Sequence, residues 1–274
     1  MVTNFKSYID SLKNIYSKNK TVGLALGGGA VWATSHIGVL KVLKEHGIKI
    51  NAISGTSAGS IIASLYAFGI SIEAIENIAL NLKVSDIFHW KVSRMGLSST
   101  QKIKHLIKKH IGSAKVEDAL LPLFIPATDI VDLKPVLMQN MPVYEAVAAS
   151  CAIPGIFSPV VINSRMYIDG SLFVDVPCKI LKLQKFNLVI GVELTDKGLA
   201  NKEPKNIFEV ITKSLQGLIN ETQKERLKYA DIIISPAIET IGRFELDKVP
   251  ILIDKGQEAA LKKINEIKKR INLR

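Results

Sequence analysis

Ala52-Ile53-Ser54-Gly55-Thr56-Ser57-Ala58-Gly59 is the stretch on which the reading of this chain turns. The apolar run Ile48 to Ser54 leads into it with strand character, and Ile61 to Phe68 leads out with helix character. Between them stands Gly-x-Ser-x-Gly, with Gly55 and Gly59 two positions either side of Ser57. That spacing suits a sharp strand-to-helix turn that lifts a serine hydroxyl clear of the backbone, and the helix N-terminus behind it favours developing negative charge. The two glycines let neighbouring chain pack close. The competing reading is a glycine-rich turn without chemistry.

Upstream, Thr21 to Leu26 reads as a short buried strand ending in Gly27-Gly28-Gly29-Ala30. Ser35 to Glu45 reads as a helix stopped at Gly47, and Ile48 to Ser54 is the next strand. Strand, glycine loop, helix, strand is a parallel β-α-β unit and implies an α/β sheet, with its sites at the carboxyl ends of the strands. The loop is not a dinucleotide fingerprint. Counting from Gly27 the sixth position is Trp32, and counting from Gly28 the third is Ala30. No Gly-Lys-Ser/Thr follows to make a phosphate loop. What remains is a set of exposed backbone N–H groups beside the serine turn, the material of an oxyanion hole for acyl transfer.

Downstream, residues 71 to 118 read as a helical insertion: a helix over Ser71 to Leu82, an irregular stretch over Ser85 to Ser99, and a helix over Thr100 to His110. Lys102, Lys104, Lys108 and Lys109 on that last helix read as a solvated face, with a cover over an apolar substrate groove as the alternative. Leu123 to Ile130 and Pro135 to Gln139 read as paired strands, Val143 to Cys151 as a helix, and Val160 to Ile162 and Met166 to Ile168 as strands about an Asn163-Ser164-Arg165 turn. Then come Asp169-Gly170-Ser171, a strand over Asn187 to Leu194, a helix over Ile207 to Tyr229, a last strand over Asp231 to Ser235 and a closing helix over Ile251 to Arg270. Residues 4 to 18 read as an amphipathic helix, either packed on the domain or lying on lipid. With no repeat, low-complexity tract or linker, one domain over residues 1–274 accounts for the chain.

Composition narrows the function. The hydrophobic fraction of 47% is ample for a core, and 22% charged residues argues against wholesale disorder. The two cysteines, Cys151 and Cys178, make neither a disulfide framework nor metal-ligand spacing, and read as buried thiols in a reducing, cytoplasmic setting. No run is long and apolar enough for a membrane span. A net charge of +11 is compatible with nucleic acid, anionic lipid or simple solubility, but only 6% of residues are aromatic and no basic-aromatic recognition motif occurs. Nucleic acid is therefore not an expected partner, whereas peripheral contact with an anionic membrane surface is.

A serine needs a base. The usual hydrolase order places a late histidine after the serine and the acid, yet none of the five histidines follows His110. His36, inside the helix after the glycine loop, reads as structural. A carboxylate acting directly is the remaining option. Asp169 is the candidate, ending a strand and followed by Gly170; its plainer reading is a turn aspartate before glycine.

Leu24-Ala25-Leu26-Gly27-Gly28-Gly29 with Ser35-His36-Ile37-Gly38-Val39-Leu40 resembles the first block of the patatin-like phospholipases. Gly55-Thr56-Ser57-Ala58-Gly59 is similar to their nucleophile elbow, and Asp169-Gly170 to their Asp-Gly motif. Ser150 to Val160 resembles the segment that precedes that motif, and the similarity runs from about residue 21 to 195. The resemblance implies a three-layer α/β/α sandwich with a mainly parallel central sheet. It implies a Ser57–Asp169 dyad, oxyanion donors at Gly28, Gly29, Ala30 and Ala58, an acyl-lipid substrate, and no metal or organic cofactor. The family's glycine loop usually continues with Arg then Gly, where this chain has Trp32 and Ala33. Trp32 is therefore expected to line an acyl groove in place of a cation. A serine lipid hydrolase is the expected activity; a weak or inactive lipid-binding protein and an acyltransferase are the alternatives.

Overall fold

Five short apolar strands make the central sheet because their residues are buried on both faces, the pattern of a parallel sheet covered on each side by helices. A computed structural model describes residues 20–194, 203–204 and 207–273. The strands are β1 (Val22–Leu26), β2 (Ala52–Gly55), β5 (Leu123–Phe124), β10 (Leu188–Val192) and β11 (Ile232–Ile234), all parallel, in the order β11-β10-β1-β2-β5. Alternation along β1 sorts the layers. Val22, Leu24 and Leu26 enter the larger core, while Ala25 enters the second core with Cys178 and Leu181. On the first face lie α1 (Ser35–Glu45), α2 (Ala58–Ala67) and α9 (Val249–Ile271); on the second lie α7 (Cys178–Leu183) and α8 (Ile207–Leu227). The three layers agree with the expected sandwich. α7 carries no clear signal in the sequence and follows Pro177 directly.

A second sheet is antiparallel: β6 (Pro126–Asp129), β7 (Lys134–Leu137), β8 (Val160–Ile162) and β9 (Arg165–Ile168), in the order β7-β6-β9-β8. The expected single strand over Leu123 to Ile130 is therefore two. Its first part pairs with β2 and its second leaves for the other sheet; Pro126, with no N–H to give a continuing ladder, begins the new strand. The β8–β9 turn is tighter than read, with Asn163 and Ser164 both at positive φ, 50° and 62°, as a two-residue hairpin requires.

The insertion comprises α3 (Ile72–Leu80), α4 (Val84–Ile87), a hairpin of β3 (His89–Ser93) and β4 (Gly96–Ser99), and α5 (Gln101–Ile111). It is thus not purely helical. Alternation is confined to its first strand, His89-Trp90-Lys91-Val92-Ser93, and the second, Gly96-Leu97-Ser98-Ser99, has a single large apolar residue. Its support is tertiary: the Leu97 and Ser98 N–H groups both donate to the Ile156 carbonyl, and the Ser158 N–H donates to the Ser98 carbonyl. The remaining helix, α6 (Val143–Ser150), ends one residue before the expected position. The helix expected over residues 4 to 18 lies outside the described residues. No helix among the described residues is long and apolar enough to cross a membrane.

Candidate active site

Thr56 and Ser57 join β2 to α2, and Ser57 takes the positive-φ conformation of the turn, at φ 51° and ψ −132°. A residue with a β-carbon is strained there, and the surrounding packing has to hold it. Gly55 and Gly59 supply that packing. A β-carbon on Gly59 would lie 2.5 Å from the Gly27 carbonyl oxygen and 2.6 Å from that of Leu26, and one on Gly55 would run into the Gly59 backbone. The serine turn is therefore seated backbone-to-backbone on the end of β1.

Asp169 arrives from the other sheet, immediately after β9. Its N–H donates to the Ala152 carbonyl at 2.9 Å, and its carbonyl accepts the Thr128 hydroxyl at 2.9 Å. One carboxylate oxygen, Oδ1, accepts the Ser171 N–H at 2.8 Å; the other, Oδ2, accepts the Ser57 hydroxyl at 2.6 Å. Gly170 lets this turn sit against the Pro126 carbonyl, 2.5 Å from where its β-carbon would be. Both partners are buried, Ser57 at 5% exposure and Asp169 at 3%. Burial pushes the Asp169 carboxyl above the ordinary carboxylate range, with the Ser57 hydroxyl and Ser171 pulling it part of the way back. The arrangement is a short charge-assisted bond between a hydroxyl and a carboxylate made more basic by its dry surroundings.

Ser150, at the end of α6, joins the two sides. The Ser57 N–H donates to its Oγ at 3.0 Å, and that hydroxyl donates on to the Pro126 carbonyl at 2.7 Å. His36 is structural, as expected. It is fully buried, its Nε2–H donates to the Gly27 carbonyl at 2.9 Å, and burial lowers its pKa to about 4, so the ring stays neutral.

Among the expected oxyanion donors, Gly28 departs from the reading: its N–H faces the Asp175 carbonyl at 3.4 Å. The N–H groups of Gly29, Ala30 and Ala58 take no acceptor among the described residues. Gly29 and Ala30 line a cavity with Ser57, and Ala58 begins the helix behind it. Trp32 does not line the groove. It is 1% exposed, its indole N–H donates to the Ile241 carbonyl at 2.8 Å, and the Arg243 guanidinium lies over its ring at 4.2 Å. The loop from Ser235 to Lys248 folds over the indole, a long-range contact no local pattern announces.

Ser57 stands where two cavities meet. One, about 110 Å³, is almost wholly apolar and runs between α2, α3 and α5, past Ile62, Leu65, Ile75, Ile103 and Leu106. The other, about 380 Å³, is also mostly apolar in its lining but carries the polar side chains of Asp169, Ser171, Asp175, Lys213 and Arg243. Ala30, Ile153 and Phe244 border both. The α5 lysines Lys102, Lys108 and Lys109 are exposed, while Ile103 and Leu106 of the same helix wall the apolar cavity. The solvated lysine face is as expected, and the opposite face of the helix walls an apolar cavity. The sequence reading missed Ser150, Ser171, Asp175 and Arg243. Only Asp175, six residues after Asp169 and just before Val176-Pro177, had a local signal that could have marked it.

Residues 24–182 match the family described as patatin-like phospholipase. An uncharacterised NTE family protein of Mycobacterium tuberculosis is 29% identical over 196 residues, covering 70% of this chain and 54% of its own length. A lysophospholipase of Debaryomyces hansenii is 29% identical over 185 residues, covering 64% of this chain and 12% of its own length. The chain thus spans about half the length of the mycobacterial relative and a small part of the yeast one. Among solved structures, VipD from Legionella pneumophila superposes with a TM-score of 0.62 at 13% identity, covering 91% of this chain and 67% of that one. Human group IVD cytosolic phospholipase A2 does so with a TM-score of 0.53 at 11% identity, covering 98% and 64%. The structures share the fold. The family match covers more than half the chain and takes in the glycine loop, the Ser57 turn and Asp169, so this chain belongs to the patatin-like phospholipase family.

Proposed function

We propose that the protein hydrolyses ester bonds of acyl lipids through an acyl-enzyme on Ser57, with Asp169 as base. The observation that carries this reading is the 2.6 Å hydroxyl–carboxylate bond at the meeting point of an apolar cavity and a second one that carries charged side chains. The acyl chain lies in the first cavity and the alcohol portion in the second, where the charged side chains are. As Ser57 Oγ adds to the acyl carbonyl, its proton passes to Asp169. The N–H groups of Gly29, Ala30 and Ala58 receive the oxyanion. Collapse breaks the ester bond, and Asp169 returns the proton to the departing alkoxide. A water then adds to the acyl-enzyme, again giving a proton to Asp169; the carboxylic acid leaves and that proton restores the Ser57 hydroxyl. No late histidine is needed, because Asp169 contacts the nucleophile itself. The name of the yeast relative, a lysophospholipase, supports a lipid ester as substrate.

Ser57→Ala and Asp169→Asn should each reduce kcat on a short-chain ester by about 10³-fold or more while the protein stays folded. Full activity of Ser57→Ala would overturn the reading. A fluorophosphonate probe separates the inactive alternative, since the folded wild type should label rapidly at Ser57. Peripheral contact with anionic membrane is part of the proposal. Its motives are the +11 charge and the exposed α5 lysines on the element whose inner face walls the apolar cavity. Recovery with anionic vesicles should exceed that with neutral ones and fall with added salt.

A further inference from the structure

The apolar cavity beside Ser57 is closed on its far side by very little protein. Ala58, Ile61, Ile62 and Leu65 of α2 line it in succession, leading away from Ser57. From Ser57 to Leu65 the helix rises about 12 Å, the reach of roughly nine or ten extended methylenes. Facing α2 are Ile75 and Ile78 of α3, Leu82 just after it, and Ile103 and Leu106 of α5. Behind them lies another hollow, about 480 Å³, whose lining includes the exposed side chains of Asn77, Asn81, Lys102, His105 and Lys109. Ile78, Leu82 and Leu106 border both spaces, whereas no residue of α2 or of the glycine loop borders the outer one. Asp86 also borders both, but its carboxylate caps α4, where Oδ2 accepts the Lys83 N–H at 3.0 Å. The partition is thus one side chain thick and aliphatic, and its three members are only partly buried. The helices that carry it are anchored by other residues: Ile75, Ile103 and Ile107 are buried.

The two spaces offer a methylene chain opposite environments. Each methylene laid along α2 leaves water for aliphatic side chains, which is favourable. The first one to reach the partition must force packed side chains off their rotamers, and beyond them it would return to water among lysines. We infer that Ile78, Leu82 and Leu106 set the longest acyl chain the site accepts, with Leu106 as the α5 half of the partition among the described residues. The inference rests on the proposed hydrolase reading and adds chain-length selection to it.

The test is a series of p-nitrophenyl esters from butyrate to myristate. In wild-type protein kcat/KM should climb with length and then drop once the chain outgrows the cavity, so that octanoate is preferred to myristate. Leu106→Ala should raise the myristate-to-octanoate ratio about tenfold by joining the cavity to the outer hollow, and Leu82→Ala should move it the same way. Leu65→Ala enlarges the same cavity from the α2 side without opening the partition, and should change the ratio by less than threefold. A wild type with no drop in the series would overturn the assignment. So would an unchanged ratio in both partition variants, or an equal gain in Leu65→Ala. Calorimetric titration of octanoate and myristate into Ser57→Ala, with and without Leu106→Ala, reads the length limit without turnover. If the wild type cleaves none of the esters, the hydrolase reading fails, and the binding ratio still decides whether the partition limits chain length.

Discussion

The two turns that meet at the active site are held by different physics. The Ser57 turn, at the carboxyl end of β2 in the parallel sheet, is fixed by exclusion: a residue at positive φ is clamped where Gly55 and Gly59 allow backbone against backbone. The Asp169 turn, at the end of the antiparallel sheet, has one such seat, Gly170 against the Pro126 carbonyl, and is otherwise fixed by hydrogen bonds to Ala152, Thr128 and Ser171. Steric clamping leaves little tolerance and fails abruptly, whereas a set of hydrogen bonds can lose one member and keep its shape. In the proposed reaction the nucleophile, whose attack needs a fixed approach, is on the stiff side; the base, which only has to stay in hydrogen-bond contact, is on the adjustable one.

The largest effect should come from breaking the stiff side. Gly59→Ala places a β-carbon 2.5 Å from the Gly27 carbonyl oxygen, and neither backbone can yield cheaply. We expect about 3 kcal/mol of destabilisation by urea unfolding and at least a 100-fold loss of esterase activity. Next is the joint between the two sides. Ser150→Ala leaves the Ser57 N–H and the Pro126 carbonyl without their buried partner, which should cost about 2 kcal/mol and lower kcat about tenfold. Thr128→Val removes one bond from the Asp169 side and should cost only about 1 kcal/mol, with kcat within threefold of wild type. If Thr128→Val proved as damaging as Gly59→Ala, the contrast between the two turns would be lost.

The same contrast explains what could be read from sequence. The Ser57 turn lies inside one β-α unit, so strand, Gly-x-Ser-x-Gly and helix are contiguous and speak together. Asp169 shows as an aspartate–glycine pair after a strand, which fits a plain turn as well; its role came into view through the order of motifs along the chain. Ser150 could not be read, because it meets Ser57 across 93 positions and occupies an ordinary place in a helix. Trp32 was misread for the same reason. An aromatic residue beside a glycine loop looks like a groove wall until the Ile241–Arg243 segment, some 210 residues later, covers it. The hairpin over residues 89–99 alternates only from His89 to Ser93, too short a run to stand out, and its second strand is held by tertiary bonds to Ile156 and Ser158. The central sheet was legible strand by strand, since burial on both faces leaves uninterrupted apolar runs.

The smallest effect expected of intact protein hides two larger opposing ones, again one from each side. His36 braces the glycine loop through the Gly27 carbonyl, and its pKa falls from 6.5 to about 4. Between those values the unfolded chain binds a proton that the folded protein refuses, so His36 makes stability rise as pH rises from about 4 to 6.5. Asp175 behaves in the opposite sense. Its pKa rises from 3.8 to about 7, so the folded protein binds the extra proton, and its contribution falls as pH rises from about 4 to 7. Over the shared window the two slopes cancel, and these groups leave wild-type stability nearly flat. Asp175→Asn should uncover the His36 slope, with the urea midpoint climbing from pH 4 to 6.5. His36→Gln, which keeps a donor for Gly27, should uncover the reverse, a midpoint that declines from pH 4 to 7. Equal profiles in the two variants would show that neither group's titration is linked to folding, and that the two sides of the site differ only in how they are packed.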